Sequence, residues 1–283
     1  MARVVEVLCV PHDPTLPGSA RAGEAAPPPL RQVIGHFAEL RARLAAASPD
    51  VLLVVAGDHL SQWFLDNMPT FLIGKAPRVA GPFAHERELF GVEAYDTAAD
   101  GELARYLLRQ GLTRSIDFGY SDDFTVDHGF TVPLSFLRPE QDLPVVPLFT
   151  NVMAPPLATA GRFFELGRIV AELIDAYPED VRVAVIASGH LSNAIGGPAM
   201  ARFRTEPETE WDRRTWRLFT EGKAEDLVED CTYERMIAAG TGTPGFLDYV
   251  FALGLAGGRN PDWSSMVASE FGPACGFAEW GLR

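Results

Sequence analysis

Three apolar, β-branched runs in this chain are each followed by a histidine within a few residues. The runs are Val4–Val10, Val51–Ala56 and Val181–Ala187. The histidines are His12, His59 and His190. Short apolar runs of this kind are typical of buried strands. In open α/β sheets, ligands bind beyond the carboxyl ends of the strands, so this pattern predicts a site with several imidazoles at one sheet edge.

Longer segments with apolar residues at helical spacing alternate with the strands. Two more strands are predicted at Thr70–Gly74 and Val145–Phe149. Helices are predicted at Leu30–Ala47, Asp100–Gln110, Ala158–Tyr177, Trp211–Glu229 and Pro244–Leu255. Alternation of this kind predicts an α/β fold, with a mostly parallel or mixed sheet covered by helices on both faces. Because no shift in composition divides the chain, we expect one domain over residues 1–283.

Charge and cysteine usage exclude several classes of protein. The formal net charge is -14 and the sequence pI is near 4.8, which argues against a general nucleic-acid or anionic-membrane binder. The cysteines Cys9, Cys231 and Cys275 are scattered, so a reducing compartment is favoured. No apolar stretch approaches the roughly 18 residues of a membrane span. We therefore expect a cytoplasmic protein.

The histidines that follow strands have two interpretations. Each could cap a helix or bind backbone groups in a loop, but three at matching positions favour a shared site. Ligands from separate strand ends are typical of catalytic metals, whereas zinc fingers use short local pairs. Asp58 and Asp127 each precede a histidine, and a carboxylate could orient an imidazole or bind a backbone amide. His36 and His85 are expected to be structural or solvated.

Four sequence blocks resemble the class III extradiol ring-cleavage dioxygenases, the family of the protocatechuate 4,5-dioxygenase catalytic subunit. The more specific blocks are GDHLSQWFLDNMPTFLIG (Gly57–Gly74) and VDHGFTVPLSFL (Val126–Leu137). The looser ones are PHDP (Pro11–Pro14) and SGHLS (Ser188–Ser192). The resemblance extends from the first strand to about Gly254 and is strongest to the 2,3-dihydroxyphenylpropionate 1,2-dioxygenase branch.

The resemblance implies a non-haem Fe(II) held by two histidines and one carboxylate, with a catechol and O2 on its open face. His12 and His59 match the two iron-binding histidines. His128, which follows Asp127, matches a histidine beside the substrate that acts as a general acid or base. Imidazole suits proton transfer because its ordinary pKa is about 6.5.

The chain departs from the family pattern at two positions. Asn193 stands where the family has its second acid/base histidine, although His190 lies three residues earlier and could serve instead. Gly245 stands where the family has its carboxylate ligand. Asp248, Glu270 or water could replace that carboxylate.

These features predict an extradiol-type dioxygenase of aromatic catabolism. Its substrate would be a catechol, an aminophenol, a dihydroxypyridine or a non-aromatic enediol, and a homo-oligomer is expected from the resemblance. The alternative is a non-oxygenase on the same scaffold: a metal-dependent hydrolase or lyase, or a metal-free binding or regulatory subunit.

Overall fold

Strands and helices alternate along the chain, as the sequence predicts. The computed structural model describes residues 1–195, 209–268 and 273–282. The strands are β1 (Arg3–Pro11), β2 (Val51–Gly57), β3 (Phe71–Gly74), β4 (Arg78–Gly81), β5 (Tyr95–Ala98), β6 (Gly119–Ser121), β7 (Val145–Thr150), β8 (Arg182–Gly189), β9 (Trp263–Val267) and β10 (Cys275–Gly281). The helices are α1 (Leu16–Ala20), α2 (Pro28–Ala47), α3 (Ala84–Phe90), α4 (Gly101–Thr113), α5 (His128–Leu137), α6 (Ala160–Asp175), α7 (Glu210–Thr220), α8 (Ala224–Asp230), α9 (Tyr233–Ala239) and α10 (Leu247–Leu255).

One mixed sheet of eight strands, in the order β6-β3-β7-β2-β8-β1-β10-β9, forms the centre of the fold. The four central strands β7, β2, β8 and β1 are parallel to one another. Towards one edge β3 is antiparallel to β7, and towards the other β10 and β9 are antiparallel. Strands β4 and β5 form a separate two-stranded ribbon. The predicted mixed α/β sheet is confirmed.

The two faces of the sheet carry separate apolar cores, because successive side chains of a strand point to opposite faces. On β1, Val7 and Cys9 join the core that includes residues of α4, α6, α7 and α10. Leu8 and Val10 join the core formed with α2 and α5. Helices therefore cover both faces, which explains why the central strands are continuous apolar runs rather than alternating ones.

The structure differs from the sequence-based expectation in some elements. The single helix predicted over Trp211–Glu229 is two helices, α7 and α8, separated by a turn at Gly222. Gly222 has a φ of +64°, which glycine adopts without strain, and a Cβ there would lie 2.1 Å from Oδ1 of Asn260. The ribbon β4–β5 and helices α3 and α5 were not predicted. No described helix is long and apolar enough to cross a membrane.

Candidate functional site

The three histidines that follow strands meet at one edge of the sheet. Strands β2, β8 and β1 are adjacent and parallel, and Pro11 of β1 pairs with Gly189 of β8. Their carboxyl ends are therefore level, and His12, His59 and His190 all line one cavity. A fourth imidazole comes from His128, the first residue of α5. The cavity has a volume of about 360 Å³.

Beyond the histidines, the cavity wall is mainly apolar. Its lining is completed by Pro11, Asp13, Pro14, Phe90, Met153, Asn193, Ala194, Ile195, Pro273, Ala274 and Cys275. Among these described residues, Asp13 is the one with a charged side chain, and none is lysine or arginine. Such a wall suits an apolar ring, with the imidazoles and Asn193 as its polar contacts.

His12 is held with its Nε2 atom free towards the other histidines. Ser188 Oγ donates to the Gly129 carbonyl oxygen at 2.5 Å, so its one proton is already used. The 2.9 Å contact between Ser188 Oγ and His12 Nδ1 must then be a hydrogen bond that the imidazole donates. Burial lowers the pKa of His12 well below its usual value. Its neutral ring therefore keeps an unprotonated Nε2, which is buried without a partner among the described residues.

His59 is fixed by Asp127, the N-cap of α5. One carboxylate oxygen accepts from the His59 ring Nδ1 and backbone N–H, both at 2.9 Å. The other accepts from the backbone of Gly129 at 2.8 Å. Burial alone would raise the pKa of Asp127, but the neighbouring His59 lowers it to about 2. The ionised Asp127 thereby holds the Nε2 atom of His59 towards the cavity.

His128 has a carboxylate partner of its own, Glu86 of α3. Glu86 is 2% exposed and accepts a short hydrogen bond from His128 Nδ1. Its other carboxylate oxygen accepts from the backbone of Phe83 and caps α3. The His128 ring lies against His59, with ring centres 4.1 Å apart and planes inclined by 31°. Two carboxylate–imidazole pairs therefore stand side by side.

His190 and Asn193 both reach the cavity from the loop after β8. His190 Nδ1 donates to the Leu191 carbonyl oxygen at 2.9 Å, which leaves Nε2 as the acceptor of the neutral ring. Burial lowers the pKa of His190 to about 4. Its ring meets His12 edge-on, with ring centres 5.2 Å apart.

Of the candidate carboxylate ligands, Asp248 is not among the described residues that line the cavity. Asp248 lies in α10, is fully buried and accepts a hydrogen bond from Thr150 Oγ1 at 2.8 Å. Burial raises its pKa to about 7. Glu270 lies outside the described residues. Asp58 accepts from the backbone of Ser61, Gln62 and Trp63, which is the amide-binding alternative considered for it.

Two residues that shape the site were not singled out from the sequence. Ser188 fixes His12, and its place in the SGHLS block was the available signal. Glu86 lies in the polar, charged stretch AHERE, whose His85 was expected to be structural or solvated. His85 in that stretch is indeed exposed, but Glu86 is buried. Glu86 contacts a histidine 42 residues away, so no local pattern reveals the pair.

The donor set fits a divalent metal ion through its imidazoles. His12, His59 and His128 each bring one possible ligand atom within 4.8 Å of the others. The unpartnered Nε2 of His12 and the carboxylate behind His59 are features of metal-binding histidines. Gly245, where a carboxylate ligand was expected from the sequence resemblance, has no side chain that could bind a metal ion.

The chain is similar to proteins that are named as ring-cleaving dioxygenases. The chain is 33% identical over 205 residues to the 2,3-dihydroxyphenylpropionate/2,3-dihydroxicinnamic acid 1,2-dioxygenase of Photorhabdus laumondii, covering 72% of this chain and 61% of that protein. It is 32% identical over 221 residues to a Pseudomonas putida enzyme of the same name, covering 71% and 66%. The chain thus matches about three fifths to two thirds of the length of these relatives.

A solved structure and a family profile extend the comparison. An uncharacterized protein from Escherichia coli K12 shares the fold with a TM-score of 0.58 and 15% identity, covering 97% of this chain and 99% of that one. Residues 6–274 match the profile described as the catalytic LigB subunit of aromatic ring-opening dioxygenase. The chain therefore belongs to the family of the catalytic LigB subunit of aromatic ring-opening dioxygenases.

Proposed function

We propose that this protein is a non-haem Fe(II)-dependent, extradiol-type dioxygenase that opens the ring of a catechol-like, aminophenol-like or dihydroxypyridine-like substrate with O2. The main observation is the arrangement of His12 and His59. Their rings meet edge-on with centres 5.0 Å apart and planes inclined by 75°. Each ring has Nδ1 occupied by a hydrogen bond, so each can offer Nε2 to the same ion. Family membership supports the reaction class.

His12 and His59 would hold the iron in this proposal. Bound Fe(II) supplies the electron transfer that lets O2 react with an aromatic ring. A site with open positions on one face is typical of non-haem iron oxygenases. The apolar wall, which includes Phe90, Met153 and Ile195, limits the water that can reach the reacting ring.

His128 is proposed as the proton acceptor for a substrate hydroxyl. Glu86 takes the hydrogen bond from Nδ1, so Nε2 carries the lone pair and can receive the proton. Asn193 can donate to a substrate oxygen but cannot take its proton at neutral pH. Asp127 acts through His59, whose ring it orients.

The test is O2 uptake by protein loaded anaerobically with Fe(II), measured against a panel of catechols, an aminophenol and a dihydroxypyridine. We expect one O2 consumed for each molecule of an accepted substrate. His59→Ala should consume none because it loses the metal. His85→Ala removes an exposed imidazole outside the cavity and should match the wild-type protein. Iron-loaded protein that consumes no O2 with any member of the panel contradicts the proposal.

A second candidate function is a non-oxygenase on the same scaffold. Gly245 lacks a carboxylate and Asn193 lacks a proton-transferring group, which favours a metal-dependent hydrolase or lyase, or a metal-free binding or regulatory subunit. Conversion of a panel compound without O2 uptake would identify a hydrolase or lyase. Binding of a panel compound without either conversion or metal would identify a binding subunit.

A further inference from the structure

The carboxylate of Asp13 lies in the cavity wall without a cationic partner among the described lining residues. It follows His12 in the loop between β1 and α1 and is partly exposed. The described lining contains no lysine or arginine that could neutralise its charge. A charge placed in a mainly apolar wall is costly unless it is paired, so a ligand of opposite charge would find a partner here.

One oxygen of the Asp13 carboxylate holds the loop, and the other remains available. Oδ1 accepts from the backbone N–H of Thr15 at 2.8 Å and from the Thr15 hydroxyl at 2.7 Å. No described residue donates a hydrogen bond to Oδ2. An asparagine would make the same turn through a neutral side-chain oxygen. The turn therefore does not require the negative charge.

The charge of Asp13 also reaches the interior of the cavity. Cys275 and His190 line the cavity and are both buried. Burial raises the pKa of the Cys275 thiol to about 12, and the nearby Asp13 adds to this rise. Burial lowers the pKa of His190 to about 4, and the charge of Asp13 opposes this fall. A group bound beside these side chains would therefore be exposed to the field of the carboxylate.

Asp13 is separate from the imidazoles that could hold a metal ion. The possible ligand atoms of His12, His59 and His128 lie within 4.8 Å of one another. Among the described residues, Asp13 does not form such a group with them, although it is next to His12 in the sequence. Its carboxylate is therefore placed to contact another part of a bound substrate rather than the metal.

The cavity also has room and apolar surface for a ring substituent. Its volume of about 360 Å³ is within the range of pockets that bind drug-sized molecules, which are larger than a single ring. Apolar side chains share the lining with Asp13: Pro14, Ile195, Pro273 and Ala274. An aliphatic chain could pack against these residues while its end contacts the carboxylate.

We propose that Asp13 selects catechol-like substrates whose ring carries an alkylammonium substituent, with the ammonium group donating a hydrogen bond to Oδ2. An ammonium group has three N–H donors and a compact positive charge. A hydrogen bond between two charged groups is stronger than one between neutral groups. A carboxylate substituent would meet a like charge at the same place. This inference rests on the proposed function for the catechol part of the substrate.

The first test measures binding to protein loaded anaerobically with Fe(II), by isothermal titration calorimetry. The probes are dopamine, 4-ethylcatechol and 3-(3,4-dihydroxyphenyl)propionate, which differ mainly in the charge of the substituent. Dopamine should bind at least about tenfold more tightly than 4-ethylcatechol, the effect of one charge-assisted hydrogen bond. The carboxylated probe should bind more weakly than 4-ethylcatechol. Dopamine that binds no more tightly than 4-ethylcatechol, or no binding of any probe, overturns the proposal.

The second test assigns the preference to Asp13. Asp13→Asn keeps an oxygen for the turn with Thr15 and removes the charge, so the dissociation constants of dopamine and 4-ethylcatechol should agree within about twofold. Asp13→Ser removes the charge with a different side chain that can also make the turn, and should give the same result.

Asp117→Asn is the matched control for charge. Asp117 is exposed, precedes β6 and lies outside the described cavity lining. The substitution removes one negative charge from the protein and should leave the preference for dopamine at its wild-type ratio. An undiminished preference in both Asp13 variants, or an equal loss in Asp117→Asn, overturns the assignment to Asp13.

Neither test uses O2, so the two proposals fail separately. A preference for dopamine that depends on Asp13, in a protein that takes up no O2, would keep the substrate class and exclude the dioxygenase. Uptake of O2 with 4-ethylcatechol, together with equal affinities for 4-ethylcatechol and dopamine, would do the reverse.

Discussion

At the scale of single residues, the site consists of imidazoles whose Nδ1 atoms are each occupied by a fixed acceptor. Ser188, Asp127, Glu86 and the Leu191 carbonyl oxygen fill this role for the four histidines of the cavity. Fixing one nitrogen of a neutral imidazole fixes the other as a lone-pair donor. The cavity therefore receives four Nε2 atoms, and their positions and surroundings decide which bind metal and which move protons.

Asp127→Asn should weaken Fe(II) binding by about 10–100-fold. The substitution keeps the volume but removes the charge that orients His59 and favours its ring as a ligand. Chelator competition under anaerobic conditions measures the affinity. Unchanged affinity, with the metal content of the wild type, would show that His59 holds its position without the carboxylate.

Glu86→Gln is the matched change on the neighbouring carboxylate–imidazole pair. Since Glu86 contacts His128 and not a proposed ligand, Fe(II) affinity should stay within about threefold while kcat falls at least about tenfold. Steady-state O2 uptake and chelator competition on the same preparation separate the two effects. A loss of affinity as large as that in Asp127→Asn would instead make His128 a metal ligand.

The raised pKa of Asp248 predicts that the stability of the protein depends on pH. Burial raises its pKa to about 7 in the folded protein, against about 3.9 in an unfolded chain. The folded state therefore binds more protons between about pH 4 and pH 7, so this residue's contribution to stability falls as pH rises through that window and levels off above it. Asp248→Asn should stabilise metal-free protein at pH 8 by up to about 4 kcal/mol and by little at pH 4. Urea unfolding at both pH values measures this, and equal effects at both would refute the pKa shift.

At the scale of elements, two helices on one face cross where glycines allow their backbones to meet. A Cβ on Gly167 of α6 would lie 2.0 Å from the Phe251 carbonyl oxygen of α10. One on Gly254 of α10 would lie 2.0 Å from the Phe164 carbonyl oxygen of α6. The helices approach each other through glycine on both sides, so this spacing cannot be kept with any larger residue.

Gly167→Ala should lower the free energy of unfolding by about 1–3 kcal/mol, because the methyl group forces α6 and α10 apart. Gly35→Ala in the exposed face of α2 is the matched control, since nothing lies within 4 Å of a Cβ there. That change should raise stability by about 0.5–1 kcal/mol through helix propensity. Denaturant unfolding of both variants measures the difference, and a stabilised Gly167→Ala would refute the close crossing.

The elements that sequence reasoning found are those whose signal is local. The buried runs before His12, His59 and His190 are strands because their apolar, β-branched residues face cores on both sides. The ribbon β4–β5 has four-residue strands with exposed positions, which carry little pattern. Helix α5 contains Pro133, which normally argues against a helix interior. The Glu86–His128 contact joins distant segments and could not be predicted from either one.

At the scale of the whole molecule, the net charge of -14 affects how readily charged substrates reach the cavity. The relatives are named for 2,3-dihydroxyphenylpropionate, a catechol with a carboxylate side chain. In this chain, the described residues of the cavity lining include the acidic Asp13 and no lysine or arginine that could pair with the substrate carboxylate. A carboxylated catechol therefore approaches against the field of the protein, whereas a neutral catechol does not.

Salt should separate these two classes of substrate. Raising the ionic strength from about 0.01 M to about 0.15 M shortens the screening length from roughly 30 Å to roughly 8 Å. For 2,3-dihydroxyphenylpropionate this should raise kcat/KM several-fold, because repulsion between the acidic protein and the anion is screened. For the neutral 3-methylcatechol kcat/KM should stay nearly constant, which controls for salt effects on the enzyme itself. A fall in kcat/KM for the carboxylated catechol alone would mean that a cation near the cavity attracts it, and would reverse the expected preference for neutral ring substituents.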